Sequence, residues 1–176
     1  MTQNQFLLQS ASDLERQAQH ARTLTARLPP DELNARPEGA WSIGQILEHL
    51  NLSSAPYLSL VREALPGAPV GGSDRPAQLS WIGKKLLKLA GPEGNAPVPK
   101  PLVPGSGPFG IQTVDHFVRT QTEFAKTVRE QADRDWSAVR IRNPLVGFLR
   151  MNLLDVPALF VAHNQRHLEQ IERRLK

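Results

Sequence analysis

Between residues 66 and 107 the chain carries eight of its 15 prolines and eight of its 12 glycines. A long continuous helix or a central strand does not survive that density. Helical periodicity lies on both sides, so the segment acts as a crossover, and its length constrains the topology. A helix of about 22 residues is about 33 Å long. Short loops fold such helices back antiparallel, whereas a connection this long can carry the chain back to the end it came from, leaving its two flanking helices parallel. The connections at about 28–42 and 133–151 suit antiparallel pairs. The expected fold is all-α, a four-helix bundle of up-down-down-up topology forming a single domain over 1–176.

Four stripes define the helices. Leu7, Leu14, Ala18, Ala21, Leu24 and Leu28 recur at helical steps, giving a helix over about 5–28 that Pro29-Pro30 ends. Ser42 and Gln45 form an S-x-x-Q capping box, with Trp41 placed to staple onto Ile46. They open a helix over about 42–65, whose stripe runs from Ile43 to Leu65 through Tyr57 and contains Pro56, where a kink is expected. Val114, Phe117, Gln121, Phe124 and Val128 mark a helix over about 109–132. Asn152 and Asp155 resemble a cap for a helix over about 152–174, faced by Val156, Phe160, His163, Asn164, His167 and Ile171. No period-two alternation is long enough to indicate a sheet. Inside the crossover, about 77–90 is amphipathic, with Lys84, Lys85 and Lys88 off its apolar side. It is expected as a small helix packed over one end of the bundle, rather than as a membrane-surface helix.

Composition removes whole classes of function. The chain has no cysteine, which excludes disulfides, thiolate metal sites, Fe–S clusters and cysteine nucleophiles. Any bound metal must be held by histidine, carboxylate and water. The net charge of +4 is mild, and neither a basic stripe nor a nucleic-acid-binding module is visible, so no nucleic-acid partner is expected. The longest apolar run, Val156–Ala162, is too short to span a bilayer. The segment Met1–Phe6 lacks signal-peptide blocks. A cytoplasmic protein without a membrane partner is the expectation.

The histidines carry most of the chemical information. His20 and His116 fall off their stripes and are expected in solvent. His163 and His167 are four residues apart, the helical spacing that offers two imidazoles to one metal, and they continue the stripe through Val156 and Phe160. His49 stands at the edge of the second stripe, three residues after Ile46. Three imidazoles from two helices could form a three-coordinate site with open positions. Equally, each could be a packed core histidine with its own hydrogen bonds, and spacing alone leaves both readings open.

The segment Trp41-Ser-Ile-Gly-Gln-Ile-Leu-Glu-His49-Leu resembles the tryptophan-to-histidine motif of the DinB/YfiT-like superfamily. Asn143-Pro-Leu-Val-Gly147, followed by His163-Asn-Gln-Arg-His167-Leu-Glu-Gln-Ile171, is similar to its second signature. The resemblance implies an up-down-down-up bundle, often a homodimer, with a divalent metal such as nickel or zinc on His49, His163 and His167. It also implies a small-molecule substrate, and either a low-molecular-weight thiol as co-substrate of an S-transferase or hydrolase chemistry. A non-catalytic metal-binding or stress-responsive bundle is the alternative.

Three neutral imidazoles would leave such an ion its full charge to acidify water or a thiol. Asn164, followed by Gln165, stands where H-E-x-x-H proteases keep their glutamate, which excludes that chemistry. Glu48 points about 100° away from His49 around the helix. Gln170 could orient an imidazole or equally lie on the helix surface. Arg166 is expected in solvent rather than on an anion, and Tyr57, Trp81 and Trp136 are expected as core packing rather than pocket walls.

Overall fold

A computed structural model describes residues 1–95 and 97–176. Among them are α1 (Gln3–Thr25), α2 (Pro30–Asn34), α3 (Ile43–Ala64), α4 (Trp81–Ala90), α5 (Ile111–Glu130) and α6 (Asp155–Leu175). One antiparallel hairpin joins β1 (Arg140–Arg142) to β2 (Arg150–Asn152), with Ile141 opposite Met151. No helix among the described residues is long and apolar enough to cross a membrane.

Pairs of side chains fix the direction of each long helix. Arg22 meets Asp115 and Arg129 meets Glu15, so α1 and α5 run antiparallel. Tyr57 meets Phe160 while His49 meets His163, so α3 and α6 also run antiparallel. Asn51 bonds to Thr113 and Gln121 to Ser54, which sets α3 parallel to α5. Gln17 bonds to Val161 and His20 to Glu172, which sets α1 parallel to α6. The bundle is therefore up-down-down-up. The antiparallel pairs α1/α3 and α5/α6 lie diagonally, because α1 and α3 each pack beside α5 and α6, and α3 and α5, joined by the crossover, are parallel neighbours.

Local sequence explains the helix ends and corrects several expected boundaries. The Ser42–Gln45 capping box is present, with both hydrogen bonds formed, and α3 runs without a break through Pro56. The first helix stops at Thr25, before Leu28. Pro30 then opens the short α2 as its first residue, where its missing N–H costs nothing. The fourth long helix starts at Asp155, because Asn152 belongs to β2 and the Asp155 carboxylate caps backwards onto the Asn152 N–H at 2.7 Å. The hairpin escaped the sequence reading because each strand is three residues long.

Two apolar clusters fill the interior. One gathers Leu7, Leu14, Phe124, Trp136 and Phe160, and the other Ile46, Leu50, Phe117, Leu168 and Ile171. Between them lies a buried polar layer. The Asn164 amide donates to Gln121 at 3.0 Å and to Gln17 at 3.2 Å, and Gln121 donates to Ser54 at 3.4 Å. Satisfied polar groups inside a bundle fix its register better than interchangeable apolar contacts do.

The crossover travels from one end of the bundle to the other. Its first part is tied beside the end of α5, with Asp135 N–H donating to the Pro69 carbonyl. Its helix, α4, spans only Trp81–Ala90, and it packs along the flank of α6 rather than over an end. Asp155 accepts from the Ser80 N–H at 2.8 Å and from the Ser80 hydroxyl at 2.5 Å, clamping the start of α4 to the start of α6. Gly83 permits that approach, since a Cβ there would stand 2.2 Å from Asp155 Cγ. Trp81, expected in the core, is 66% exposed beneath the Lys85 ammonium, whereas Trp136 is fully buried as expected. Beyond α4 the crossover returns to α3, where the Gln45 amide donates to the Gly105 carbonyl at 2.9 Å.

Candidate metal centre

The capping box starts α3 so that His49 falls in its second turn, on the face turned towards α6. Trp41 leans on the His49 ring, with centroids 5.0 Å apart. On α6, His163 and His167 project from successive turns, as their spacing requires. The three imidazoles converge. Their Nε2 atoms approach one another in sequence, His49 to His163 at 3.2 Å and His163 to His167 at 3.1 Å. One candidate ligand atom from each lies within 4.8 Å of the others. The rings meet edge to edge at 68° to 84°, an arrangement that excludes stacking.

The outer nitrogens decide the tautomers. His49 Nδ1–H donates to the Leu102 carbonyl at 2.8 Å, and His167 Nδ1–H donates to Gln170 Oε1 at 3.0 Å. An oxygen acceptor demands the proton on Nδ1, so both Nε2 atoms present lone pairs to the same point. A single proton on His163 cannot satisfy both of them well. Protonating the rings is also opposed. Burial pushes the His167 pKa down to about 3, aided by His49 and Arg166. Burial first, then the neighbouring imidazoles and Arg166, hold His163 well below the usual histidine value. His49 is lowered as well, mainly by burial. A cation relieves all of this. Two nitrogens bound to one tetrahedral zinc at its ordinary bond length stand about 3.3 Å apart, close to the spacings found here. The donor set therefore fits a divalent ion.

Above the histidines opens a cavity of about 200 Å³. Its walls are mostly apolar, from Leu86 and Leu89 of α4, Pro97 to Pro99 and Leu102 of the crossover, Leu145 and Val146 of the hairpin loop, and Phe160. The polar groups are Ser53, Ser54, Tyr57, Asn143, Asn164 and Arg166. No aspartate or glutamate among the described residues lines it.

The sequence profile of the DinB superfamily matches residues 13–171. The chain belongs to that superfamily. Among solved structures it is similar to YfiT from Bacillus subtilis, a probable metal-dependent hydrolase with an unusual four-helix bundle topology. That likeness has a TM-score of 0.58 and 14% identity, covering 95% of this chain and 86% of that one, and it establishes the shared fold. No curated protein matches the sequence.

In this DinB-superfamily chain the histidines singled out by spacing come together, and Gln170 orients His167. Tyr57, expected as core, is both buried and part of the cavity wall. His116 is exposed as expected, but His20 pairs with Glu172 at 2.5 Å. Glu48 turns away to Asn51. Sequence reasoning missed the Leu102 carbonyl and the partnership of Asn143 with Tyr57. Backbone carbonyls leave no trace in a sequence, whereas a buried tyrosine on the histidine-bearing helix was a usable signal.

Proposed function

We propose that this protein is a divalent-metal-dependent enzyme acting on a small molecule, with His49, His163 and His167 holding the ion and hydrolysis as its reaction. The observation that carries the reading is the convergence of three Nε2 atoms, two fixed as lone-pair donors, at the floor of an open cavity. A bound divalent ion of the zinc or nickel kind would supply Lewis acidity and lower the pKa of water towards about 7. The chain's own part is to orient and to exclude. Leu102 and Gln170 hold two imidazoles in the productive tautomer, and the apolar walls limit bulk water. Arg166 is the one charged side chain of the lining, with no carboxylate within 4 Å among the described residues, which favours an anionic substrate.

Transfer of a small thiol is the second reading for the same site. Hydrolysis is placed first because the similar solved fold, YfiT, is described as a probable metal-dependent hydrolase. The proposal includes a cytoplasmic setting and a homodimer. The test is to load the protein with zinc or nickel and screen small esters, amides and lactones, with thiol-dependent alkyl transfer in parallel. Turnover of one hydrolytic class by the loaded protein, lost in His163→Ala, is expected. Turnover only with added thiol would replace hydrolysis by transfer, and no turnover with a loaded site would leave a metal-binding protein.

A further inference from the structure

Opposite the histidines, the cavity ends at a buried pair that metal binding does not use. Tyr57 is 4% exposed and Asn143 is 1% exposed. The Asn143 carboxamide is fixed by its own loop, because its Oδ1 accepts the N–H groups of Leu145 at 2.9 Å and Val146 at 2.9 Å. With Oδ1 so occupied, the amide nitrogen must face the other way, and it donates to the Tyr57 hydroxyl oxygen at 2.8 Å. Tyr57 thus spends a lone pair on Asn143 and keeps its own proton. That O–H has no acceptor within hydrogen-bonding reach among the described residues, and the side chain lines the cavity. Burial raises the Tyr57 pKa to about 12, so the group remains a donor across the physiological range.

A donor that lines the cavity and has no protein acceptor is free to meet a ligand oxygen there. The position is informative, because Tyr57 follows His49 by eight residues on α3, about 12 Å along the axis. Phe160 continues the wall between them, its ring 6.1 Å from that of Tyr57.

We propose that the Tyr57 hydroxyl, held by Asn143, is a specificity-determining donor to the substrate. The site then takes a compact, largely apolar molecule carrying a carbonyl-type oxygen several bonds from the atom that meets the histidines. This deepens the enzyme reading and rests on the cavity being the substrate pocket.

The test uses two probes of the same shape, acetophenone with an acceptor oxygen and α-methylstyrene without one. Both are titrated into the purified protein and into Tyr57→Phe. One neutral hydrogen bond predicts that the ratio of the two Kd values shifts roughly threefold to tenfold towards α-methylstyrene in the variant, with metal content unchanged. An unchanged ratio overturns the donor role while leaving the pocket. If neither probe binds the wild type, the pocket reading fails, and this proposal with it. A second readout needs no variant, because Tyr57 is the only tyrosine and ζ-¹³C-tyrosine gives a single resonance. Acetophenone should move that resonance and α-methylstyrene should not; equal movement by both overturns the proposal.

Discussion

Replacing Gln170 by leucine tests how the site selects its tautomer. In the wild type, Gln170 Oε1 accepts from His167 Nδ1 at 3.0 Å and leaves Nε2 free for a metal. Leucine has a similar volume and no acceptor. The metal-free variant escapes the loss by moving its proton to Nε2, where His163 Nε2 lies 3.1 Å away. Metal binding forces the proton back onto Nδ1, now facing a hydrocarbon. An unpaired buried N–H costs about 1–3 kcal/mol, and because position 170 is half-buried, partial access of water places the cost in the lower part of that range. At about 1.4 kcal/mol per factor of ten, zinc should bind roughly 5–30-fold more weakly, the scale on which such outer partners act. Competition against a chromophoric chelator at pH 7 measures it, and melting of the metal-free variant should change little. Gln170→Glu, which keeps an acceptor and adds negative charge, should bind zinc at least as tightly as the wild type. Equal zinc affinity in Gln170→Leu and the wild type would refute a role for His167 Nε2 as a ligand.

Two more predictions follow from burial. His49, His163 and His167 have folded pKa values below their unfolded value of about 6.5. The unfolded chain therefore binds more protons as pH falls from about 6.5 towards the folded values, and stability is lost in that window. The loss reaches up to about 1.4 kcal/mol per pH unit for each histidine. The Tm of the metal-free protein should fall between pH 7 and 5.5 and stay nearly flat in the triple histidine-to-alanine variant; a flat wild-type profile would contradict the buried neutral cluster. Gly83→Ala should destabilise by about 1–3 kcal/mol, because its Cβ would collide with the Asp155 carboxylate that clamps α4. Thermal melting would show it, and an unchanged Tm would mean that α4 is not held there.

Much of this was legible in the sequence because the signals were local. Stripe periodicity located four helices, the Ser42–Gln45 box located the start of α3, and the i, i+4 spacing put His163 and His167 on one face. The length of the crossover gave the direction of α5 relative to α3. Its path was not legible, since its last part is positioned by backbone groups, the Leu102 and Gly105 carbonyls, which no side-chain pattern reports. Phe109 docks onto α3 because residue 44 is glycine, where a Cβ would lie 2.6 Å from Phe109 Cβ, and that is a long-range reason. Asn152 and Trp81 show the reverse failure. A cap-like pattern suggested a helix start at Asn152 and an aromatic side chain suggested core packing for Trp81, but the hairpin claimed Asn152 and the outer face of α4 claimed Trp81.

The central claim is that residues 114 positions apart, His49 and His163, share one ion with His167. The direct measurement is metal content by elemental analysis of untagged protein, in the wild type, in His49→Ala and in His167→Ala. The account predicts about one equivalent of a zinc- or nickel-like ion in the wild type, and an equal loss in the two variants. Full metal in His49→Ala, or no metal in a wild type that also takes none up on reconstitution, would contradict it.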